Sequence, residues 1–162
     1  GWRFRREAGV SAALPQLIRD YLAAHNVMTL ATVGGDGPWA SAVFYAMDGN
    51  ALIFLSSPAS RHGSNLAFDA RCAATIQDDV GDWAHVKGIQ MEGRVMRLAG
   101  AEAERARERY GEKFPVVNAG AGVPAAIADA LSRVSWYRLV PRRVCFVDNS
   151  RGFGHRDEIT LS

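Results

Sequence analysis

The chain has 162 residues, 48% hydrophobic and 22% charged, the size and composition of one globular domain whose core needs no disulfide or metal staple. A formal net charge of +2 is too small for a nucleic-acid-binding or anionic-membrane surface, and the basic cluster Arg3, Arg5 and Arg6 falls in residues 1–12, which read as a flexible N-terminal segment. No apolar run approaches the ~18 residues of a membrane span. No secretory leader is visible, so the expectation is a cytoplasmic protein. Cys72 and Cys145 each lie in an apolar, strand-like run without a CxxC neighbour, which reads as two buried free thiols.

Leu14 to His25 predicts a helix, with Pro15 in its first turn and Leu14, Leu17, Ile18, Tyr21 and Leu22 on one face. Val27 to Val33 predicts a strand, followed by the turn cluster Gly34 to Pro38. Trp39 to Met47 and Ala51 to Leu55 predict two more strands around the hairpin signal Asp48-Gly49-Asn50. These three strands form an antiparallel meander. After a helix-like segment between Ser60 and Phe68, Cys72 to Gln77 predicts a fourth strand, Asp78 to Asp82 an acidic loop, and His85 to Leu98 a long fifth strand. The alternation of that strand fails after Gly93, which predicts a bulge there. Ala101 to Lys113 and Pro124 to Arg133 predict helices; Ser135 to Val140 and Arg143 to Val147 predict two strands split by Pro141, and Asp148 to Arg156 a polar, glycine-rich tail. The pattern gives a mainly β fold with peripheral helices, an antiparallel sheet closed as a barrel. Side chains fill the interior of a small barrel, so a sizeable ligand binds outside it or between subunits.

The segment richest in chemistry runs from Leu52 to Leu66. The apolar run Leu52-Ile53-Phe54-Leu55 stops at Ser56-Ser57-Pro58; Ser60, Arg61 and His62 follow, and then a short helix. A strand that ends in hydroxyls and a cation at a helix entrance offers free N–H groups and partial positive charge to a phosphate. It is neither a Walker A loop nor a dinucleotide-binding fingerprint. An N-cap serine beside an ordinary surface arginine is the competing reading of Ser60 and Arg61, and a helix cap that of His62. His25, His85 and His155 show no metal-ligand spacing, and the Asp78, Asp79, Asp82 loop reads as solvated. No nucleophile–base pair stands out.

The order of features resembles the pyridoxamine 5'-phosphate oxidase-like family of FMN-binding split barrels, in particular its small uncharacterised bacterial members. The resemblance rests on MTLATV with its Gly-rich turn, PWASAVFYAMD, FLSSPASRHGSNL, GIQMEGRVMRL with the helix ending in YGEKFPV, and WYRLVPRRVCFVDNSRGFGH. Together these cover nearly all of the chain from Pro15 to His155. The resemblance implies an antiparallel six- to seven-stranded split β-barrel and a homodimer with FMN at the subunit interface. It places the FMN phosphate on Ser60, Arg61 and His62, the ribityl chain or phosphate near Ser56 and Ser57, and the isoalloxazine ring along the backbone of the second strand, at Ser41, Ala42 and Val43. Gln90 or Lys87 would reach the ring or phosphate, with Trp136 and the His155-Arg156 tail contributed by the second subunit.

Where the oxidase itself has a basic residue early in the second strand and a lysine near its end, this chain has Ser41 and Ala46. Flavin binding is therefore the firmer expectation, and oxidation of pyridoxamine 5'-phosphate is not expected. The leading function is an FMN-dependent oxidoreductase accepting a hydride from a reduced nicotinamide or a small organic substrate. The alternatives are a flavin-binding or sensing protein without turnover, and a split barrel that binds haem, with His155 as a candidate ligand, or a deazaflavin. Trp39, Phe44 and Tyr45 read as core or interface aromatics, with stacking on a flavin as the other option. Gln90 faces solvent, the subunit interface or the flavin edge.

Overall fold

The computed structural model describes residues 9–162; the Arg3, Arg5, Arg6 cluster lies outside them. In chain order the elements are β1 (Gly9–Ser11), α1 (Gln16–Ala24), β2 (Val27–Gly34), β3 (Gly37–Asp48), β4 (Ala51–Ser56), α2 (Arg61–Phe68), β5 (Arg71–Gln77), β6 (Lys87–Arg97), α3 (Gly100–Lys113), α4 (Ala125–Ser132), β7 (Ser135–Asp148) and β8 (Arg156–Leu161), with short 3-10 turns before β6, on both sides of residue 119 and after β7.

β2, β3, β4, β7, β6 and β5 pair antiparallel in that cyclic order, and the β6–β7 ladder closes the barrel. β8 extends the sheet from the second half of β7, and β1 adds to β8 in parallel. The interior follows the period-2 rule: Met28, Leu30, Tyr45, Leu52, Phe54, Ile76, Ile89, Leu139, Val144 and Phe146 are all inaccessible or nearly so. α1 closes one end with Ile18 and Leu22, where the Tyr45 hydroxyl donates to the Leu22 carbonyl at 2.6 Å. α2 covers the other end with Leu66. Outside the barrel, α3 packs Ala106 and Tyr110 on Ile53, Ala46 and Trp136. Among the described residues no helix is long and apolar enough to cross a membrane.

Four departures from the sequence reading concern the second half of the chain and its start. Pro141 does not split a strand: β7 is continuous, and the register slips between Glu92 and Gly93, where the bulge was expected. A proline is tolerated there because the other edge of β7 changes neighbour at that point, from β4 at Ser135–Leu139 to β8 at Arg143–Val147. The polar tail turns through Asn149–Arg151 and returns as β8, which the sequence pattern did not reveal. Gly9–Ser11, placed by sequence in a flexible segment, form the short strand β1. Both cysteines are free, but only Cys72 is buried; Cys145 is half-buried. Burial pushes the Cys72 thiol up to about 12.

Candidate functional site

The barrel is split between β3 and β4. β3 pairs with β2 from Gly37 to Phe44, yet it pairs with β4 only over Tyr45–Asp48. The β4-facing edge of β3 therefore carries unladdered backbone groups from Trp39 to Phe44, and every second residue presents its N–H and C=O there. Ser41, Ala42 and Val43 lie on this stretch. The Val43 side chain belongs to the core, Ser41 is half-buried, and Ala42 faces outward. What these three residues offer a ligand is principally backbone.

The loop after β4 stands at the mouth of this split. Ser60 caps α2: its hydroxyl accepts from the Gly63 N–H at 3.1 Å and donates to the Ser57 carbonyl at 2.6 Å. The first intrahelical bond runs from Ser64 N–H to the Ser60 carbonyl, so the N–H groups of Arg61 and His62 precede the helical ladder. Gly63 is required by close approach, since a Cβ there would lie 2.5 Å from the Ser57 carbonyl oxygen and 2.9 Å from that of Pro58. Asn65, buried one turn on, donates to the Thr32 hydroxyl at 3.1 Å and fixes α2 to β2.

The two basic side chains of the loop take different positions. His62 turns inward, and its Nε2 lies 2.6 Å from the Ser56 hydroxyl. Burial holds its pKa below the ordinary histidine value. Arg61 is exposed and reaches over the β2–β3 turn: its guanidinium lies 4.4 Å from the Trp39 ring centroid, and Nη2 donates to the Asp36 carbonyl at 3.2 Å. The loop thus presents one permanent cation, the Ser57 hydroxyl and the amides of Arg61 and His62, while Ser56, Ser60 and His62 are engaged within it, a set suited to an anion.

Gln90 and Trp136 are not part of this cluster. Gln90 is exposed on the outer face in a lateral row that runs from Ala42 through Thr29 and Thr75 to Gln90 and then Cys145. Three strand spacings separate Gln90 from Ala42, roughly 14 Å. At that separation the two lie on different parts of the barrel surface. Trp136 pairs with Leu55 and packs its ring edge-on to Tyr110, 5.2 Å between centroids, as part of the α3 core of its own chain. Lys87 pairs with Asp148 at 3.6 Å, and His155 contacts Asp157 at 3.2 Å. The sequence reading missed Trp39 as the partner of Arg61 and Gly63 as the residue that lets the loop close on α2. A glycine one turn inside a helix was the available signal for the second.

A large groove lies elsewhere. It measures about 970 Å³ and crosses the outer faces of β2, β5, β6 and β7, lined among others by Val33, Ala73, Met96, Val140, Arg94 and Arg142. It lacks a helix N-terminus and capped loop, so volume does not identify the ligand site.

Comparison with known proteins agrees with this architecture. Residues 14–148 match the sequence family described as pyridoxamine 5'-phosphate oxidase. A UPF0306 protein of Photorhabdus laumondii is 33% identical over 87% of this chain and 92% of its own length. The structure of a heme binding protein from Mycobacterium smegmatis superposes with a TM-score of 0.68 at 28% identity, covering 91% of this chain and 59% of that one. This chain thus spans well under two thirds of that protein. A FAD-binding protein from Mesorhizobium loti superposes with a TM-score of 0.62 at 17% identity, over 81% of this chain and 92% of that one, a likeness of fold. The family match takes in all six barrel strands and the loop at the mouth of the split, and the chain belongs to the pyridoxamine 5'-phosphate oxidase family.

Proposed function

We propose that the chain binds FMN, with the phosphate at the N-terminus of α2 and the isoalloxazine ring along the open edge of β3, and acts as a flavin-dependent oxidoreductase. The observation that carries this reading is the juxtaposition at the split: a Ser60-capped helix end with Arg61 beside it, at one end of a strand edge whose backbone groups have no β4 partner from Trp39 to Phe44. That stretch is about 17 Å long, the scale of a flavin mononucleotide. The Ser56 hydroxyl is engaged by His62 and the Ser60 proton by the Ser57 carbonyl, so the Ser57 hydroxyl and the free amides of Arg61 and His62 are the groups for the phosphate, with Ser60 holding the helix end as its cap. Backbone groups of Ser41 to Val43 orient the ring. A bound flavin supplies hydride acceptance; the chain binds, orients and shields it. With Ser41 and Ala46 in place of basic residues, the expected donor is a reduced nicotinamide or a small organic molecule rather than pyridoxamine 5'-phosphate.

A homodimer completes the proposal. Val27 and Phe44 are exposed cross-strand partners, and Val33, Met96 and Val140 line one groove of the outer strand face, apolar surface that suits a partner. A second copy over this face supports the placement of the flavin at a subunit interface and gives Gln90 of one subunit a route to the ring held by the other.

Titration of apo-protein with FMN and with riboflavin tests the proposal. FMN binding at least about tenfold tighter than riboflavin is expected from one charge-assisted phosphate contact. Equal affinities would remove the phosphate site. A haem reading is favoured by one observation, the likeness to the Mycobacterium smegmatis heme binding protein. Against it, the Nε2 of His155, the candidate ligand, is engaged by Asp157. The absorption spectrum of the purified protein separates the two, with broad flavin bands on one reading and a Soret band on the other.

A further inference from the structure

We propose that Trp39 is the positioning residue for Arg61 and thereby sets the preference of this site for a phosphorylated over an unphosphorylated flavin; the proposal rests on the phosphate reading of the α2 N-terminus. Arg61 is the first residue of α2, a place where the helix dipole disfavours a cation. An exposed arginine there, with its large rotamer freedom, would swing outward into solvent. Instead the guanidinium is laid on the indole of Trp39, 4.4 Å from the ring centroid, and its Nη2 is anchored to the Asp36 carbonyl. Both anchors come from the β2–β3 hairpin, so Arg61 bridges the helix end and the beginning of the open β3 edge. Trp39 has itself a fixed seat: it pairs with Thr32, which the buried Asn65 of α2 holds.

The arrangement leaves Arg61 ready to bind. Stacking occupies the face of a guanidinium and the Asp36 carbonyl takes one edge donor, so most of the five in-plane N–H donors remain for an anion. A phosphate seated between these donors and the α2 amides would also offset the repulsion between the cation and the helix end. Because His62 is turned inward onto Ser56, the loop has no second permanent cation to compensate if Arg61 is misplaced. Pre-ordering of this kind strengthens binding without adding a contact to the ligand.

The test compares FMN and riboflavin affinities of the intact protein and five variants, with thermal midpoints recorded for each. Trp39→Ala and Trp39→Leu are expected to weaken FMN binding about two- to fivefold, the loss of an exposed cation–π contact, with riboflavin affinity unchanged. Trp39→Phe, which keeps an aromatic face, is expected to restore most of the preference. In an Arg61→Ala background, Trp39→Ala is expected to change neither affinity. An unchanged or increased FMN-to-riboflavin preference in Trp39→Ala and Trp39→Leu overturns the positioning role, as does an equal loss for both ligands. If the unmodified protein shows no preference for FMN, the phosphate reading itself fails, a result distinct from either.

Discussion

The Ser56 hydroxyl and the Nε2 of His62 lie 2.6 Å apart, which turns the second basic residue of the loop away from its open side. Burial favours the neutral imidazole and keeps its pKa below the ordinary value of 6.5. Between the folded pKa and the higher unfolded one, the unfolded chain binds more protons, so stability falls as pH drops through this window. His62→Gln, which keeps a polar partner for Ser56, is expected to flatten the slope of thermal midpoint against pH below neutrality, while the unmodified protein loses stability on acidification. Parallel slopes for the two would place the titration elsewhere.

Arg61 is exposed and contributes little to packing, so its removal separates binding from folding. A charge-assisted hydrogen bond contributes about 1.5–3 kcal/mol. Arg61→Ala is therefore expected to weaken FMN binding about 10–100-fold, to leave riboflavin binding unchanged, and to shift the thermal midpoint little. Calorimetric titration of both ligands checks it.

The loop was legible because its chemistry is local. An apolar run ending in Ser-Ser-Pro, followed by Ser-Arg-His and a helix, contains a strand end and a helix cap within a few positions, and both form where their residue types suggest. The meander and the bulge at Gly93 were legible for the same reason, through turn clusters and a broken alternation. What was not legible depends on pairing at a distance. β8 is a half-polar segment behind Gly152 and Gly154, and its pairing to the free edge of β7, with β1 on its other side, makes it a strand. Pro141 reads as a break until the change of partner along β7 is known. Trp136, which the resemblance offers to a second subunit's site, packs under α3 of its own chain. The stacking of Arg61 on Trp39 joins two elements through the β2–β3 turn, and no periodicity in either segment announces it.

Gly63 tests the fit between loop and helix. A methyl group there would press on the carbonyl oxygens of Ser57 and Pro58, backbone atoms that cannot rotate away. Gly63→Ala is expected to destabilise the fold by about 1–3 kcal/mol and to lower flavin affinity, because relief of the clash moves Ser57 and the Ser60 cap together. A thermal midpoint equal to that of the unmodified protein would show that the loop is looser than its contacts imply.

The opposite side of α2 is fixed by a different clash. A Cβ at Gly34 would lie 2.0 Å from the Asn65 Oδ1, and Asn65 is buried with its Nδ2 on the Thr32 hydroxyl. The amide cannot step aside without leaving a buried polar group unpaired, at about 1–3 kcal/mol. Gly34→Ala is therefore expected to be destabilising on its own, and so is Asn65→Ala, which strands Thr32. Combined, they should lose less than the sum of the two, since the shortened side chain at 65 makes room for the methyl at 34. A double-mutant cycle from chemical denaturation is expected to give a coupling of about 0.5–3 kcal/mol. Strict additivity would mean that β2 and α2 do not meet at this contact.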